Sequence, residues 1–287
     1  MFISTLDGTL SSPDAVAGAS LKWVRGENIG SGSLGNVFKA LDQKTGQIFA
    51  VKEVGINTQD TADEKFRQAL ENEVSIFKDL KHPRIVSYLG HDYISTKLYI
   101  YLEYMPGGSV SHVLNQFGAF DETLVASYTR DLLLGLEYLH TREPVVLHRD
   151  VKGANILVGL DCRVKLSDFG CSRRTADTLL QSLRGSIPWM APEVIQQTGY
   201  GRRSDIWSLG CVVIEMATAS HPWGHFDNPW AAMVRIGMSK ETPPVPENIP
   251  EGCRAFISCC VQRDKTQRPH ATELLRHAFV GSLTDEP

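Results

Sequence analysis

The feature that most constrains the fold is a change of hydrophobic pattern near residue 105. Before this point, short β-branched and aromatic stretches alternate with turn residues, which is typical of strands. After it, apolar residues recur at helical spacing. The segment Met105-Pro106-Gly107-Gly108 separates the two regions, because neither proline nor glycine readily continues a helix or a strand. We therefore expect an α+β chain with a small β-rich lobe and a larger α-helical lobe.

The first region predicts several strands and one inserted helix. Thr61-x-x-Glu64 matches a capping box, and five apolar residues follow it at helical spacing, so a helix is expected there. These apolar residues are Phe66, Leu70, Val74, Phe77 and Leu80. The predicted strands are 35–41, 47–54, 85–91 and 97–103.

The second region predicts helices. Asp121 is a candidate N-cap, because its carboxylate can accept a backbone N–H of the first turn. The apolar stripe of that helix is Leu124, Tyr128, Leu132, Leu136 and Leu139. Further helices are expected near 204–219, 228–238, 251–262 and 271–276. We predict one domain over 22–280, with an N-lobe to 104 and a C-lobe from 105, a mobile leader over 1–21 and a tail over 281–287.

Charge and cysteine content exclude several classes of protein. The 287 residues contain 29 Lys and Arg against 33 Asp and Glu, a net charge of −4, so we expect neither a nucleic-acid nor a membrane partner. The six cysteines form no C-x-x-C pair, which argues against a disulfide scaffold or a structural zinc site. The first residues do not resemble a signal peptide, and no run approaches the roughly 18 apolar residues of a membrane span. We expect a cytoplasmic protein.

A glycine-rich motif is the first sign of phosphate chemistry. Residues 30–37 read G-x-G-x-x-G-x-V, and glycines let the backbone approach a phosphate without a Cβ clash. The same pattern can mark a dinucleotide site, which requires a strand before the motif and a helix after it. Here residues 37–41 continue as a predicted strand. The context therefore favours a β-hairpin flap over a phosphate.

Two charged residues lie in apolar surroundings. Lys52 follows the apolar stretch 48–51, and Glu73 points from the apolar face of the predicted helix. An unpaired carboxylate in such a place is costly, so one interpretation is that Glu73 pairs with Lys52 and holds it for phosphate oxygens. The alternative is a glutamate at the helix edge that reaches solvent.

Two further motifs give the pattern its specificity. Residues 148–155 fit H-R-D-x-K-x-x-N, and D-F-G follows with its aspartate at Asp168, 18 residues after Asp150. With the glycine motif, Lys52 and Ala191-Pro192-Glu193, this order resembles the eukaryotic protein kinase family across about residues 22–280. The resemblance implies the bilobal protein kinase fold and ATP with Mg²⁺ as cofactors.

Site residues are carried over from this resemblance by position. It implies that Asp150 orients the substrate hydroxyl and accepts its proton, that Lys152 steadies the transferred phosphoryl group, and that Lys52 contacts phosphate. Asn155 and Asp168 would hold the metal, because hard oxygen ligands suit Mg²⁺. The remaining implied nucleotide contacts are Ile29, Gly30, Ser31, Gly32, Ser33, Leu34, Gly35, Val37, Ala50, Glu73, Leu102, Glu103, Met105 and Leu157. Two structural roles are also implied, an ion pair between Glu193 and Arg268 and anchoring of the catalytic loop by Asp205.

The subtype indicated is a serine/threonine kinase. Lys152 after H-R-D-x and Ser186 after Gly185 are typical of that class, and several segments, including 102–110 and 214–218, resemble the MEKK-type MAP kinase kinase kinases. The expected protein substrate is a MAP kinase kinase. Alternatives are the related Ste20 or germinal-centre branch, a pseudokinase scaffold without turnover, and a metabolic small-molecule kinase.

The segment between Asp168 and Glu193 is a candidate for regulation. It contains several hydroxyls near arginines, and a phosphate can order a segment by pairing with guanidinium groups. We predict phosphorylation of Ser182 first and Thr178 second, by an upstream kinase or by autophosphorylation. The sequence departs from the family pattern at Leu34, at Ile187-Pro188 and at Arg84.

Overall fold

The computed structural model describes residues 22–32, 35–56, 71, 74–168 and 186–281. The chain divides into two compact units. The first comprises Met1–Leu80 and Ser87–Tyr104, and the second comprises Lys81–Val86 and Met105–Pro287.

The first unit contains an antiparallel sheet of five strands in the order β1-β2-β3-β5-β4. The predicted strands over 35–41, 47–54 and 97–103 are confirmed. The strand predicted over 85–91 begins three residues later, because Ile85 and Val86 contact Leu166 of the second unit's small sheet instead. The strands are β1 (Trp23–Gly32), β2 (Gly35–Asp42), β3 (Ile48–Gly55), β4 (Tyr88–Ile94) and β5 (Lys97–Glu103).

Each face of this sheet carries its own apolar cluster, because side chains alternate along a strand. On one face, Trp23 packs against the cluster of Ala40, Phe49, Val51 and Tyr101. On the other face, Val54, Leu98 and Ile100 pack with Ile56 and Val74. Val74 belongs to the predicted helix, of which residues 71 and 74–78 are helical. The predicted capping box and residues 66, 70 and 73 lie outside the described residues.

The second unit is mainly helical, and the four predicted helices after residue 200 are confirmed with ends shifted by up to two residues. The α-helices are α1 (Val110–Phe117), α2 (Glu122–His140), α3 (Pro192–Ile195), α4 (Arg202–Thr218), α5 (Pro229–Met238), α6 (Glu251–Cys260), α7 (Ala271–Leu274) and α8 (Ala278–Gly281). Short 3₁₀ turns lie at Gly153–Asn155, Ile187–Trp189 and Lys265–Gln267.

Helix α2 forms as its sequence predicts. The Oδ1 atom of Asp121 accepts a hydrogen bond of 2.9 Å from the backbone N–H of Leu124. Tyr128, Leu132 and Leu136 of the apolar stripe are buried. The cap and the stripe together fix where this 19-residue helix begins and which face packs inward.

The prediction that the chain is helical after residue 105 is wrong in one place. Strands β6 (Ile156–Val158) and β7 (Val164–Leu166) form a two-stranded antiparallel sheet. Each strand has three residues, which is too short for a periodic pattern to show in the sequence. This small sheet lies between the two motifs that carry the predicted metal ligands.

Two further observations concern the described part of the chain. No helix in it combines the length and the apolar character needed to cross a membrane. Its five cysteines are free thiols, of which Cys162 is exposed and Cys211, Cys253 and Cys260 are buried.

Candidate active site

The β6–β7 pair brings the predicted metal ligands to one end of a hairpin. Asn155 immediately precedes β6, and Asp168 lies two residues after β7. The strands pair Ile156 with Leu166, and the backbone N–H of Ser167 donates to the carbonyl oxygen of Asn155 over 2.9 Å. The spacing of the two motifs therefore places Asn155 next to the segment that carries Asp168.

Asp150 lies at the centre of a polar group in the second unit. Its Oδ2 atom is 2.8 Å from the Nζ atom of Lys152 and accepts a hydrogen bond of 2.8 Å from the Nδ2 atom of Asn155. The same Nδ2 atom donates to the backbone carbonyl of Asp150 over 2.9 Å. Lys152 also donates to the Oγ atom of Ser186 over 2.7 Å.

Asp205 holds the loop that precedes Asp150, as the resemblance implies. Its carboxylate accepts the backbone N–H groups of His148 and Arg149 over 3.0 and 2.9 Å. The Nε2 atom of His140 lies 2.8 Å from Oδ2, and the hydroxyl of Tyr200 donates to Oδ1. Burial raises the pKa of Asp205, but these partners outweigh that effect and hold it below its ordinary value.

His148 is framework in this loop. It is fully buried, and burial lowers the pKa of its imidazole. Its Nδ1 atom accepts a hydrogen bond of 3.3 Å from the backbone N–H of Asp150, which a neutral ring can provide. The histidine therefore orients the backbone at Asp150.

The predicted ion pair between Glu193 and Arg268 is confirmed. Two parallel hydrogen bonds of 2.7 and 2.8 Å join the guanidinium to the carboxylate, and both side chains are buried. Ser204 donates a further bond of 2.8 Å to Glu193. Burial raises the pKa of Glu193, but the contacts of Arg268 and Ser204 bring it below its ordinary value.

In the first unit, the glycine motif forms a β-hairpin and not a strand–helix turn. Residue Gly32 at the end of β1 pairs with Gly35 at the start of β2. Gly35 has a φ of +150°, and a Cβ at this position would lie 1.8 Å from the carbonyl oxygen of Glu53. Only glycine lets β2 approach β3 this closely at position 35. Ser33 and Leu34 lie outside the described residues.

Several predicted nucleotide contacts share one face of the first unit's sheet. Val37 pairs with Lys52, and Ala50 pairs with Leu102, while Ala50 and Lys52 are two residues apart on β3. Lys52 and Ala50 are buried, and Ile29 is 41% exposed. The predicted pair between Lys52 and Glu73 stays a prediction, because Glu73 lies outside the described residues.

The remaining predicted contacts lie at the C-terminal end of β5 and within β6. The backbone N–H of Glu103 donates to the carbonyl oxygen of Ser87 over 2.9 Å. The carbonyl oxygen of Met105 accepts from the backbone N–H of Gly108 over 3.2 Å. Leu157 is half-buried in β6 and pairs with Lys165. Ser182 and Thr178, the predicted phosphorylation sites, lie outside the described residues.

Arg84, which departs from the family pattern, has a structural role. Its Nε atom lies 2.8 Å from the Oδ1 atom of buried Asp131, and Arg163 approaches the same oxygen to 3.2 Å. Asp131 also accepts the backbone N–H of Val164, which begins β7. Arg84 therefore contributes to the support of the β6–β7 sheet.

The sequence interpretation gave no role to Glu215, which the structure connects to this site. Glu215 is buried in α4 and accepts hydrogen bonds from Ser111, Gly153 and Trp189. The signal was present, since a glutamate in the apolar run 209–217 needs buried partners just as Glu73 was expected to.

Comparisons with known proteins show the family to which this chain belongs. A family model described as "Protein kinase domain" matches residues 23–280. The chain belongs to the protein kinase family. The matched range extends into both units and includes the glycine hairpin, Lys52 and the loop that carries Asp150.

Among the relatives of this kinase domain are MAP kinase kinase kinases. It is 45% identical over 273 residues to mitogen-activated protein kinase kinase kinase 2 of Arabidopsis thaliana, covering 93% of this chain and 42% of the relative. It is 44% identical over 279 residues to the mitogen-activated protein kinase kinase kinase MST11 of Pyricularia oryzae, covering 92% and 30%. It is 42% identical over 277 residues to mitogen-activated protein kinase kinase kinase A of Dictyostelium discoideum, covering 95% and 29%. The chain thus spans less than half the length of these relatives.

Proposed function

We propose that the protein is an ATP-dependent serine/threonine kinase that transfers the γ-phosphate of ATP to a Ser or Thr of a protein. The observation that carries the proposal is the placement of both Lys152 Nζ and Asn155 Nδ2 at 2.8 Å from Asp150 Oδ2. Phosphoryl transfer requires accurate positioning and charge stabilisation more than covalent chemistry, and this group supplies both.

Each member of the group has a distinct role. The Asp150 carboxylate orients the acceptor hydroxyl and accepts its proton. The Lys152 ammonium steadies the negative charge of the transferred phosphoryl group, and its contact with Ser186 keeps it in place. Asn155 fixes the rotamer of Asp150, since its amide donates to both the carboxylate and the backbone of that residue.

The protein kinase family uses ATP with a divalent metal, and we propose Mg²⁺ held by Asn155 and Asp168. The donor set fits this ion, because the Nδ2 atom of Asn155 is engaged by Asp150, which leaves Oδ1 as a hard oxygen ligand. The Asp168 carboxylate belongs to an exposed residue. When bound, the metal neutralises charge on the ATP phosphates.

The first unit supplies most of the proposed nucleotide contacts. We propose that the backbone of 30–35 covers the phosphates and that Lys52, held by Glu73, contacts their oxygens. Ile29, Val37, Ala50 and Leu157 would enclose the adenine, whose edge would bond the main chain at Glu103 and Met105 beside Leu102. The closeness of Ala50, Lys52 and Leu102 on one sheet face supports this arrangement. The kinase domain is proposed to extend over 22–280.

The proposed substrate is a MAP kinase kinase, because the relatives named above are MAP kinase kinase kinases. Phosphorylation of Ser182, with Thr178 second, is proposed to activate the enzyme, either by autophosphorylation or through an upstream kinase. Mass spectrometry of the active protein together with the rate of Ser182→Ala tests this: an unchanged rate and no phosphate in 169–185 would contradict it.

A transfer assay with ATP, Mg²⁺ and purified substrates tests the function. We expect labelled phosphate on Ser or Thr of a kinase-dead MAP kinase kinase. Folded protein that binds this substrate but transfers no phosphate to it would instead identify a scaffold. Transfer confined to small metabolites would contradict the protein substrate.

A further inference from the structure

Glu215 is a buried carboxylate in the last turn of the apolar helix α4. Its exposed fraction is 6%, and no Lys or Arg in the part of the chain described by the structure forms an ion pair with it. Three neutral donors face it instead. Ser111 donates to Oε1 over 2.6 Å, and the backbone N–H of Gly153 and the indole N–H of Trp189 donate to Oε2 over 3.1 and 2.9 Å.

These donors come from three different segments of the second unit. Ser111 belongs to α1, Gly153 to the loop of Asp150, and Trp189 to the 3₁₀ turn Ile187–Trp189. Burial raises the pKa of Glu215, while the three hydrogen bonds oppose this effect. Burying a carboxylate in an apolar helix costs desolvation free energy. In return, its two oxygens can bind three segments at once, which a single apolar side chain could not do through hydrogen bonds.

Two of the segments lead directly to Lys152. Gly153 follows Lys152 in the chain, so a bond to its N–H fixes the backbone that carries the lysine. Trp189 ends the turn that begins after Ser186, and its backbone N–H donates to the carbonyl of Ser186 over 3.0 Å. The hydroxyl of Ser186 in turn accepts from Lys152. One oxygen, Oε2 of Glu215, therefore holds both the backbone of Lys152 and the turn that carries its partner.

Two further contacts support the hydrogen bonds of Glu215. Ser208, two turns before Glu215 on α4, donates to the carbonyl oxygen of Trp189 over 2.8 Å. Helix α4 therefore binds both the backbone and the indole ring of Trp189. At position 153, a Cβ would lie 2.4 Å from Oε1 of Glu215 and 2.6 Å from the hydroxyl of Ser111. Glycine is therefore required for the carboxylate to approach the loop this closely.

We propose that Glu215 is a positioning residue for phosphoryl transfer: its carboxylate joins the Asp150 loop to the turn after Ser186 and so sets the position of the Lys152 ammonium. This inference rests on the proposed kinase function and adds to it a residue that contacts neither nucleotide nor substrate. A displacement of about 1 Å in a catalytic group can cost roughly a hundredfold in rate. Loss of Glu215 is thus expected to lower kcat and to leave both KM values nearly unchanged.

Two substitutions at this position separate hydrogen bonding from burial. In Glu215→Gln, the amide oxygen can accept from Gly153 and Trp189, and the amide nitrogen can donate to Ser111, whose hydroxyl then reverses. In Glu215→Ala, all three bonds are lost. We expect kcat to fall about 10- to 100-fold in Glu215→Ala and by less than about threefold in Glu215→Gln.

Leu274→Ala is the control for reduced stability, because Leu274 is buried in α7 and contacts none of these segments through a hydrogen bond. Its kcat should equal that of the wild type at a temperature where thermal unfolding shows both variants folded. Equal kcat for Glu215→Ala and wild type, equal losses in the two Glu215 variants, or an equal loss in Leu274→Ala would each overturn the proposal. So would a raised KM for the protein substrate at unchanged kcat, since that would place Glu215 in contact with substrate.

A measurement that does not depend on enzyme activity tests the role of Glu215 separately from the proposed kinase function. Hydrogen exchange at the Trp189 indole and the Gly153 amide should accelerate at least about tenfold in Glu215→Ala and return towards the wild-type rate in Glu215→Gln. A wild-type protein that transfers no phosphate would contradict the kinase assignment, and the exchange rates would still decide whether Glu215 joins the two segments. Unchanged exchange in Glu215→Ala would show that it does not.

Discussion

The Nζ atom of Lys152 lies 2.7 Å from the Oγ atom of Ser186. The same nitrogen lies 2.8 Å from Oδ2 of Asp150. One ammonium group therefore connects the Asp150 loop to the turn that precedes Ala191-Pro192-Glu193. Residues 34 positions apart in sequence thus depend on one another for their geometry. Because the donor is charged, this hydrogen bond is of the stronger kind found in proteins.

Removing the hydroxyl of Ser186 should weaken catalysis more than nucleotide binding. We expect Ser186→Ala to lower kcat about tenfold, because a hydrogen bond to a charged group is worth about 1.5–3 kcal/mol and Lys152 would lose its second anchor. Ser186→Thr keeps a hydroxyl and should retain most of the rate. Steady-state kinetics with ATP and protein substrate measure this, with exposed Ser220→Ala as the control. Equal rates for Ser186→Ala and Ser220→Ala would contradict the prediction.

The glycine hairpin gives a prediction on stability and nucleotide binding together. Gly35→Ala places a Cβ 1.8 Å from a backbone oxygen at a φ of +150°, so the β2–β3 contact must distort. We expect a loss of about 1–3 kcal/mol in the free energy of unfolding and a raised KM for ATP. Gly55→Ala is the matched control, because a Cβ there meets nothing within 4 Å. Urea unfolding and ATP titration of the two variants check this, and equal behaviour would refute the steric argument.

The ion pair between Glu193 and Arg268 predicts a pH dependence of stability. The pKa of Glu193 in the folded protein lies below its ordinary value of 4.5, so the unfolded chain takes up the proton at higher pH than the folded chain. The stabilisation by the pair is therefore complete above about pH 4.5 and is lost as pH falls through the folded-state pKa.

Urea unfolding at about pH 7, 5 and 4, in buffers of matched ionic strength, measures how this stabilisation depends on pH. Glu193→Gln should be about 3–5 kcal/mol less stable at pH 7, because it leaves the Arg268 charge buried without its partner. Its stability should also fall less steeply than that of the wild type between pH 5 and 4, as Glu193 no longer takes up a proton. Glu241→Gln, at an exposed carboxylate that pairs with Arg235, should keep the wild-type slope. A Glu193→Gln slope equal to the wild-type slope would rule out the pair as the source.

Motif spacing predicted the polar group around Asp150, because the motif residues lie within one short loop. Asp150, Lys152 and Asn155 span six residues, and the backbone of so short a segment keeps them together whatever the surrounding fold. The roles of Asp205 and Arg268 came from the family resemblance alone. Their partners lie 56 and 75 positions away, a distance over which no local pattern carries information.

The sequence patterns misplaced one strand and missed two others for a related reason. Ile85 and Val86 have strand propensity, but their backbone pairs with Leu166, far along the chain, and not with the first unit's sheet. Strands β6 and β7 are too short to show alternation. Glu215 stands in an apolar run, and only the fold reveals that Ser111, Gly153 and Trp189 converge on it.

The kinase assignment is tested most directly by Asp150→Asn. Asparagine keeps the size of the side chain and an oxygen for Asn155 and Lys152, so the fold and the nucleotide contacts should persist. The substitution removes the carboxylate that we propose accepts the proton of the substrate hydroxyl. Phosphoryl transfer to the protein substrate should fall about 10²- to 10⁴-fold, while calorimetry shows ATP affinity within about threefold of wild type. Transfer at the wild-type rate by folded Asp150→Asn would contradict the assignment of Asp150 and with it the proposed mechanism.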